Sequence, residues 1–379
     1  MTDFANRALL PAGLRDMLPP DAAFEADVVG RLMAHFATHG FERVKPPLIE
    51  FEESLLDGAG AATSSQTFRV MDPMAQKMMG LRADMTPQVA RIATTRLARV
   101  ARPLRLSYAG QVLRVKGSQL RPERQFGQAG IELIGSDSPA ADAEVLILAA
   151  DGLAALGLTG LTIDLALPTL VPALFAGLGF DGARAEGLRA ALDHKDSAGV
   201  AELGGDAAGL FQALIAAAGP AVRAIRALAA LDLPPAAAAE RERLERVVEL
   251  VQAALPDLPL TIDPAENRGF EYHTGVGFTL FSRRIGAELG RGGRYLAGGA
   301  EPATGATVFM DSVLAALPEP KAPPRLYLPA GTARVQAQAL RADGWVTVAG
   351  LEPVKDQVAE ARRLGCDHRL AADGVVKVQ

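Results

Sequence analysis

The sequence predicts an α+β fold: an antiparallel sheet flanked by helices, a helical insertion, and a small α/β module at the C-terminal end. Three features predict it. Paired runs of alternating polar and apolar residues, separated by turn-forming residues, mark antiparallel hairpins; TFRVMDPMAQKMMGLRADMT (67–86) and the stretch 105–135 are the plainest. Apolar residues at helical spacing bracket those hairpins. From about 168 to 257 the texture turns Ala-rich, charged and helical, with Leu244, Val247, Val248, Val251 and Leu255 on one stripe.

In chain order, residues 20–40 read as a helix opened by Pro20 and Asp21 and closed before Gly40. Val28, Leu32 and Phe36, with Val29 and Met33, form its apolar stripe. FERVKPPLIEFEESL (41–55) reads as a short strand, a proline break and an acidic segment. The next hairpin turns at Asp72-Pro73, and PQVARIATTRLARV is a helix with Pro87 in its first turn. The 105–135 hairpin leads into the helix SPAADAEVLILAADGLAALG, then the strand LTIDLA (161–166). After the helical insertion, strand signals return at 259–263 and 271–281. RIGAELGRGGRYLAGG (284–299) reads as a further hairpin, and EPATGATVFMDSVLAAL as a strand running into a helix. A Pro-rich linker around 318–324 separates a core of residues 1–320 from the 325–379 module. The module alternates strand and helix, and DHRLAADGVVKVQ closes it without an assignment.

Bulk properties exclude several classes. The chain has 379 residues, net charge −5 and 49% hydrophobic residues, enough for two or three domains around a large core. No apolar run reaches the length of a membrane span, and the N-terminus lacks a signal-peptide pattern, so a cytoplasmic location is expected. Cys366 is the single cysteine, which excludes intrachain disulfides and Cys-rich zinc sites. The histidines (His35, His39, His194, His273, His368) show no metal-ligand spacing, so neither metal nor cofactor is expected. Without a basic block there is no electrostatic sign of nucleic-acid binding.

The segment LRVKGSQLRPERQFGQAGIE (113–132) carries the most chemistry. In a hairpin, Arg124, Phe126, Gln128, Gly130 and Glu132 share one face. A face carrying Arg, Gln and Glu in line reads as the floor of a polar pocket.

These residues belong to an ordered set that resembles the catalytic core of class II histidyl-tRNA synthetases from residue 9 to about 316. GFERVKPPLIE resembles the family's first motif, with Pro47 in its proline position; that motif builds the dimer interface. LRADMT (81–86) resembles the amino-acid-binding LRPEGT segment, and the 113–135 stretch the second motif. RGFEYHTG (268–275) resembles the histidine-specific RGLDYY loop, GGRY (292–295) matches the family's GGRY, and ATGATVFMDSVL stands at the third motif. The resemblance implies a class II synthetase-like antiparallel sheet flanked by helices. It further implies that the 325–379 module is a truncated anticodon-binding-like unit.

Binding free histidine requires a carboxylate for its ammonium, a cation for its carboxylate and partners for two imidazole nitrogens. The resemblance places Asp84 and Thr86 at the ammonium, Arg114 at a carboxylate or phosphate, and Gln128 and Glu132 at the ammonium and imidazole. Tyr295 forms the pocket wall, with Arg268, Tyr272 and His273 on the histidine-specific loop. His273 replaces the second tyrosine of that loop, and Asp84 is one methylene shorter than the usual Glu. Charge-assisted bonds of this kind contribute about 1.5–3 kcal/mol each. The alternative is that the same groups simply satisfy one another in an empty pocket.

The ATP half departs from the family. Where an acidic residue reads the adenine amino group stands Lys116. Pro122 takes the place of an arginine directed at the γ-phosphate, with Arg121 beside it. The Glu-Arg pair of the third motif reads Asp311-Ser312. Serine cannot supply a bidentate guanidinium, and losing one partner of a buried charge pair costs roughly 2–5 kcal/mol.

A kept histidine pocket beside a broken ATP site resembles the synthetase paralogues that serve as regulatory subunits of ATP phosphoribosyltransferase. That resemblance implies a non-catalytic protein needed for the first step of histidine biosynthesis and involved in feedback inhibition. Its partners would be the short-form catalytic subunit, in a hetero-octamer, and a second copy of itself in a class II-type homodimer, with L-histidine as effector at the old amino-acid pocket, at the interface with the catalytic subunit, or at both. The alternatives are a divergent histidyl-tRNA synthetase and a stand-alone histidine-binding sensor.

Overall fold

The computed structural model describes residues 9–117, 122–266, 272–319 and 322–378. Arg121 and Arg268 lie outside the described residues. Contacts divide the chain into two compact units, Met1–Pro318 and Glu319–Gln379.

In the first unit, helix α1 (Asp21–Thr38) forms because Val28, Leu32, Met33 and Phe36 fall on one buried stripe. Gly40, at φ +80°, turns the chain out of it. Strand β1 (Glu42–Arg43) follows, then β2 (Ile49–Phe51), α2 (Glu52–Leu55), β3 (Arg69–Asp72) and β4 (Lys77–Leu81). Strands β2, β4 and β3, in that order, make a small antiparallel sheet. The β3–β4 turn is fixed by Asp72, whose Oδ1 accepts the Met74 amide at 2.9 Å. The acidic segment therefore contains a strand, β2, that the preceding prolines concealed. Helix α3 (Thr86–Arg91) starts with Pro87 in its first turn and widens into a π-turn over Ile92–Arg96.

The main sheet is built around β5 (Leu104–Leu113) and β6 (Gln125–Ile134), paired antiparallel over their whole length. Next come α4 (Pro139–Ala155), capped by the Ser138 hydroxyl at the Ala140 amide, and β7 (Leu161–Ala166). The helical stretch comprises α5 (Leu170–Leu178), α6 (Gly182–Asp193), α7 (Ser197–Gly204) and α8 (Ala208–Ala216). A short strand β8 (Gly219–Pro220) leads to α9 (Ala221–Ala229) and α10 (Pro235–Ala254). The unit closes with β9 (Leu260–Asp263), β10 (Gly277–Ser282), β11 (Ala287–Ala297), β12 (Glu301–Phe309) and α11 (Met310–Ala316). Among the described residues the sheet has nine strands, ordered β1-β5-β6-β12-β11-β10-β7-β9-β8, antiparallel except at β1–β5 and β7–β9.

The two faces of β6 separate the core. Ala129, Ile131 and Leu133 pack with α1 and α4 in the larger cluster. Phe126 and Ile134 join Tyr108, Met85, Val89 and Tyr295 in a second cluster on the opposite face. That second face carries the polar residues.

Two sequence expectations are corrected here. The segment 284–299 holds one long strand, β11, in place of a hairpin, and β10 begins at Gly277, while residue 271 lies outside the described residues. Gly290, Gly292 and Gly293 read as turn signals, yet they sit mid-strand because neighbours press against the backbone. A Cβ on Gly292 would overlap the Gly305 carbonyl and the Phe278 ring, and one on Gly293 the His273 ring.

The second unit contains β13 (Arg325–Leu328), α12 (Arg334–Ala342), β14 (Val346–Ala349) and α13 (Gln357–Arg363), closing with β15 (His368–Ala371) and β16 (Gly374–Lys377). Its strands run in the order β14-β13-β15-β16, the last pair antiparallel. Leu326 and Leu328 pack on Ala337 and Leu370, while Tyr327 points the other way onto Ala361 and Cys366. The segment left unassigned by sequence is the β15–β16 hairpin.

Candidate functional site

A cavity of about 640 Å³ lies over the polar face of the main sheet. At its floor Glu132 on β6 is fully buried, in register with Leu106 on β5 and Gly305 on β12. Hydroxyl groups hold its carboxyl. Oε1 accepts from Thr86 Oγ1 at 2.9 Å and Tyr108 OH at 3.2 Å, and Oε2 accepts from Tyr295 OH at 3.0 Å. Tyr108 OH also lies 2.8 Å from Thr307 Oγ1 and 3.1 Å from Thr86 Oγ1.

Burial raises the Glu132 carboxyl to about 8, although the hydroxyls of Thr86 and Tyr295 pull the other way. Burial likewise lifts Tyr108 and Tyr295 well above the usual phenol value. At neutral pH the floor is therefore a protonated acid among hydroxyls, able to donate or to accept.

The walls come from separate elements. Asp84 lines the cavity and its Oδ1 accepts the Thr86 amide at 2.8 Å, an Asx turn that opens α3. Arg114, just past β5, lines it too; its Nε donates to Ala83 O at 3.3 Å and its guanidinium lies 5.1 Å from the Phe126 ring centre. Tyr272 and His273 stack with ring centres 4.1 Å apart, and Tyr272 meets Tyr295 edge-on at 6.4 Å.

Seven of the residues that sequence reading assigned to a ligand thus line one cavity: Asp84, Thr86, Arg114, Glu132, Tyr272, His273 and Tyr295. Gln128 does not line it. Its side chain is buried behind the wall, accepting the Met85 amide at 2.9 Å and donating to Thr307 Oγ1 at 3.3 Å. Both ends of that amide hold the α3 start and β12 in place, so Gln128 positions the site from behind.

On the ATP side of the sequence argument, Ser312 on α11 lines the cavity, whereas Lys116 and Pro122 are exposed and do not. Among the described residues no group of three or more His, Cys, Asp or Glu is placed to hold a metal.

Sequence reading missed four contributors. Tyr108 and Thr307 complete the hydroxyl chain; Tyr108 lies opposite Gly130 in the hairpin register, a signal present in the sequence. Arg291 lines the cavity from β11 and binds Glu288 at 2.6 and 2.9 Å. Burial works against its charge, and the Glu288 bonds outweigh it, leaving Arg291 above the usual arginine value. Its place in a run of glycines disguised it. The fourth is Arg294, which points away from the cavity and is only 3% exposed.

Over residues 13–313 the chain matches the histidyl-tRNA synthetase family. It is 74% identical to an ATP phosphoribosyltransferase regulatory subunit of Paramagnetospirillum magneticum, over 100% of both chains. The chain belongs to the family of ATP phosphoribosyltransferase regulatory subunits. A second regulatory subunit, from Rhodospirillum centenum, is 59% identical over 99% of this chain and 97% of the relative.

Solved structures agree on the fold of this regulatory-subunit family member. One described as an ATP phosphoribosyltransferase regulatory subunit/histidyl-tRNA synthetase, from Bacillus halodurans, aligns with a TM-score of 0.81 at 25% identity, covering 94% of this chain and 96% of its own. A histidyl-tRNA synthetase from Nostoc sp. PCC 7120 aligns with a TM-score of 0.78 at 18% identity, covering 97% and 92%. The α+β, class II synthetase-like architecture is the one expected from sequence. Among the described residues no helix is long and apolar enough to cross a membrane.

Proposed function

We propose that the chain is the non-catalytic regulatory subunit of an ATP phosphoribosyltransferase, required for its catalytic subunit's activity in the first step of histidine biosynthesis. Its cavity takes L-histidine as the feedback effector. Full-length identity of 74% to a regulatory subunit carries the reading. The cavity supports the effector assignment: a carboxylate and a carboxyl for ammonium and imidazole, Asp84 and Glu132, share it with a guanidinium for a carboxylate, Arg114. The same wall presents Ser312 where a triphosphate clamp would need a guanidinium, which supports loss of amino-acid activation. The working assembly is a cytoplasmic hetero-octamer with a short-form catalytic subunit, built on a class II-type homodimer of this chain.

Mixing the purified chain with a short-form catalytic subunit tests the proposal. Phosphoribosyltransferase activity should appear only with both chains present and should fall with added L-histidine. No activity from the mixture sinks the regulatory reading. The family match over residues 13–313 favours one alternative, a divergent histidyl-tRNA synthetase. Histidine-dependent ATP–pyrophosphate exchange by the chain alone would establish it instead.

A further inference from the structure

Arg294 is joined to a cluster that the cavity itself does not include. Its guanidinium meets Asp142 of α4 through Nη2–Oδ1 at 2.8 Å and Nε–Oδ2 at 3.2 Å. Nη1 reaches Asp137 Oδ1 and Ser136 O, each at 3.1 Å, and Nη2 reaches Ser138 O at 3.2 Å. Asp142 has two further partners. Thr304 on β12 donates to Oδ1 at 2.5 Å, and Arg243 on α10 donates to Oδ2 through Nε at 3.1 Å. Arg243 also donates to Asp137 O at 2.7 Å and pairs with its carboxylate at 3.2 Å. Two arginines and two aspartates thus join α10, the start of α4 and β11.

The backbone carries the cluster to the cavity. Arg294 O accepts the Thr274 amide at 2.8 Å, and Arg294 N donates to Val276 O at 3.0 Å. A Cβ on Gly275 would stand 2.9 Å from Arg294 Cδ, so the turn rests on the arginine stem. Tyr272 and His273, immediately before that turn, line the cavity. Tyr295, the next residue on β11, points to the opposite face and donates to Glu132.

We propose that Arg243 is a positioning residue for the cavity: by sharing Asp142 with Arg294, it links the helical region 168–257 to the 272–276 turn and to Tyr295. The inference rests on the histidine reading only for its choice of ligand. Asp142 is 3% exposed, so its charge needs both guanidiniums. Without Arg243 it keeps the Thr304 hydroxyl but only one guanidinium, that of Arg294, and the β11 segment bearing Tyr295 loses one side of its clamp. Coupling through such packed networks typically changes affinity by roughly twofold to thirtyfold. Linkage is reciprocal: a ligand in the cavity must tighten the Arg243 contacts by the same factor.

The test uses the full chain with Arg243→Met and Arg243→Lys, calorimetry with L-histidine, and amide exchange at Thr274. Arg105→Met is the control. It removes the Arg105–Glu144 pair, made at 2.7 and 2.9 Å to the same helix α4, but touches neither cluster nor cavity. Weaker histidine binding and faster Thr274 exchange in Arg243→Met, with Arg105→Met unchanged, is the expected result. Lysine should restore only part, since one ammonium cannot reproduce the fork. Wild-type affinity in Arg243→Met, or an equal loss in Arg105→Met, overturns the proposal. If the wild type itself does not bind histidine, the ligand reading fails separately. Exchange at Thr274 then decides: faster exchange in Arg243→Met sustains the positioning role, and unchanged exchange overturns it. Should the methionine variant not fold, the lysine variant is read by the same criteria.

Discussion

Glu132 and Gly305 lie directly opposite each other on β6 and β12, and the Glu132 carboxyl occupies the space where a Cβ on residue 305 would be. The acid can lie flat on the sheet, within reach of Thr86, Tyr108 and Tyr295, only because its neighbour has no side chain. Gly305→Ala should therefore force the carboxyl off its hydroxyls. Overpacking of this kind costs about 1–3 kcal/mol. Urea denaturation should show that loss, and calorimetry with L-histidine a much weaker site. An alanine variant with wild-type stability would mean the carboxyl has another resting place.

The raised Glu132 value makes stability depend on pH in a definite direction. In the unfolded chain the group titrates near its ordinary 4.5, and in the fold near 8. Between those values the folded protein holds a proton that the unfolded chain releases. The contribution is therefore complete below pH 4.5 and is lost as pH rises towards 8. Each pH unit across the window corresponds to about 1.4 kcal/mol at most. Glu132→Gln removes this dependence, so the variant should gain on the wild type from pH 5 to 8 and then run parallel. Parallel curves throughout would show that Glu132 is ionised in the fold.

Tyr108 joins Thr86, Glu132 and Thr307 through one buried hydroxyl. Tyr108→Phe keeps the ring in its cluster and removes only that oxygen. Leaving buried partners unsatisfied costs about 1–3 kcal/mol. The affinity for L-histidine should fall as well, since Glu132 Oε1 would keep Thr86 alone. Denaturation and calorimetry on the one variant separate the two effects.

The sequence disclosed the fold where period and turn chemistry agreed. The β5–β6 hairpin and α1 are examples: each has an uninterrupted apolar pattern and a clear terminator. It misled where glycine served packing instead of turning, as in β11, where Phe278, Gly305 and His273 crowd the backbone. Residues that line the cavity were legible because motif order fixed their positions. Gln128 was not, because a polar side chain on a pocket-facing strand can bond sideways to Met85 and Thr307 as readily as to a ligand. Tyr108 and Arg294 act through partners distant in the chain, which only strand register and helix packing bring near.

A last prediction concerns Arg82, two residues before Asp84. It is 6% exposed, and its hydrogen bonds run to backbone carbonyls: Nε to Gln111 O at 2.8 Å, and Nη1 to Pro46 O at 3.1 Å and Pro47 O at 3.4 Å. Burial pushes it below the usual arginine value, with Glu50 opposing. Its fork thus ties the proline segment before β2 to the end of β5, beside the Asp84 turn. Lysine offers one compact ammonium and cannot reach carbonyls on both sides. Arg82→Lys should lose about 1–3 kcal/mol for the unsatisfied carbonyls, with faster amide exchange at Thr86 as the Asx turn loosens. Should Arg82→Lys match the wild type in both measurements, the guanidinium fork is not what sets this wall of the cavity.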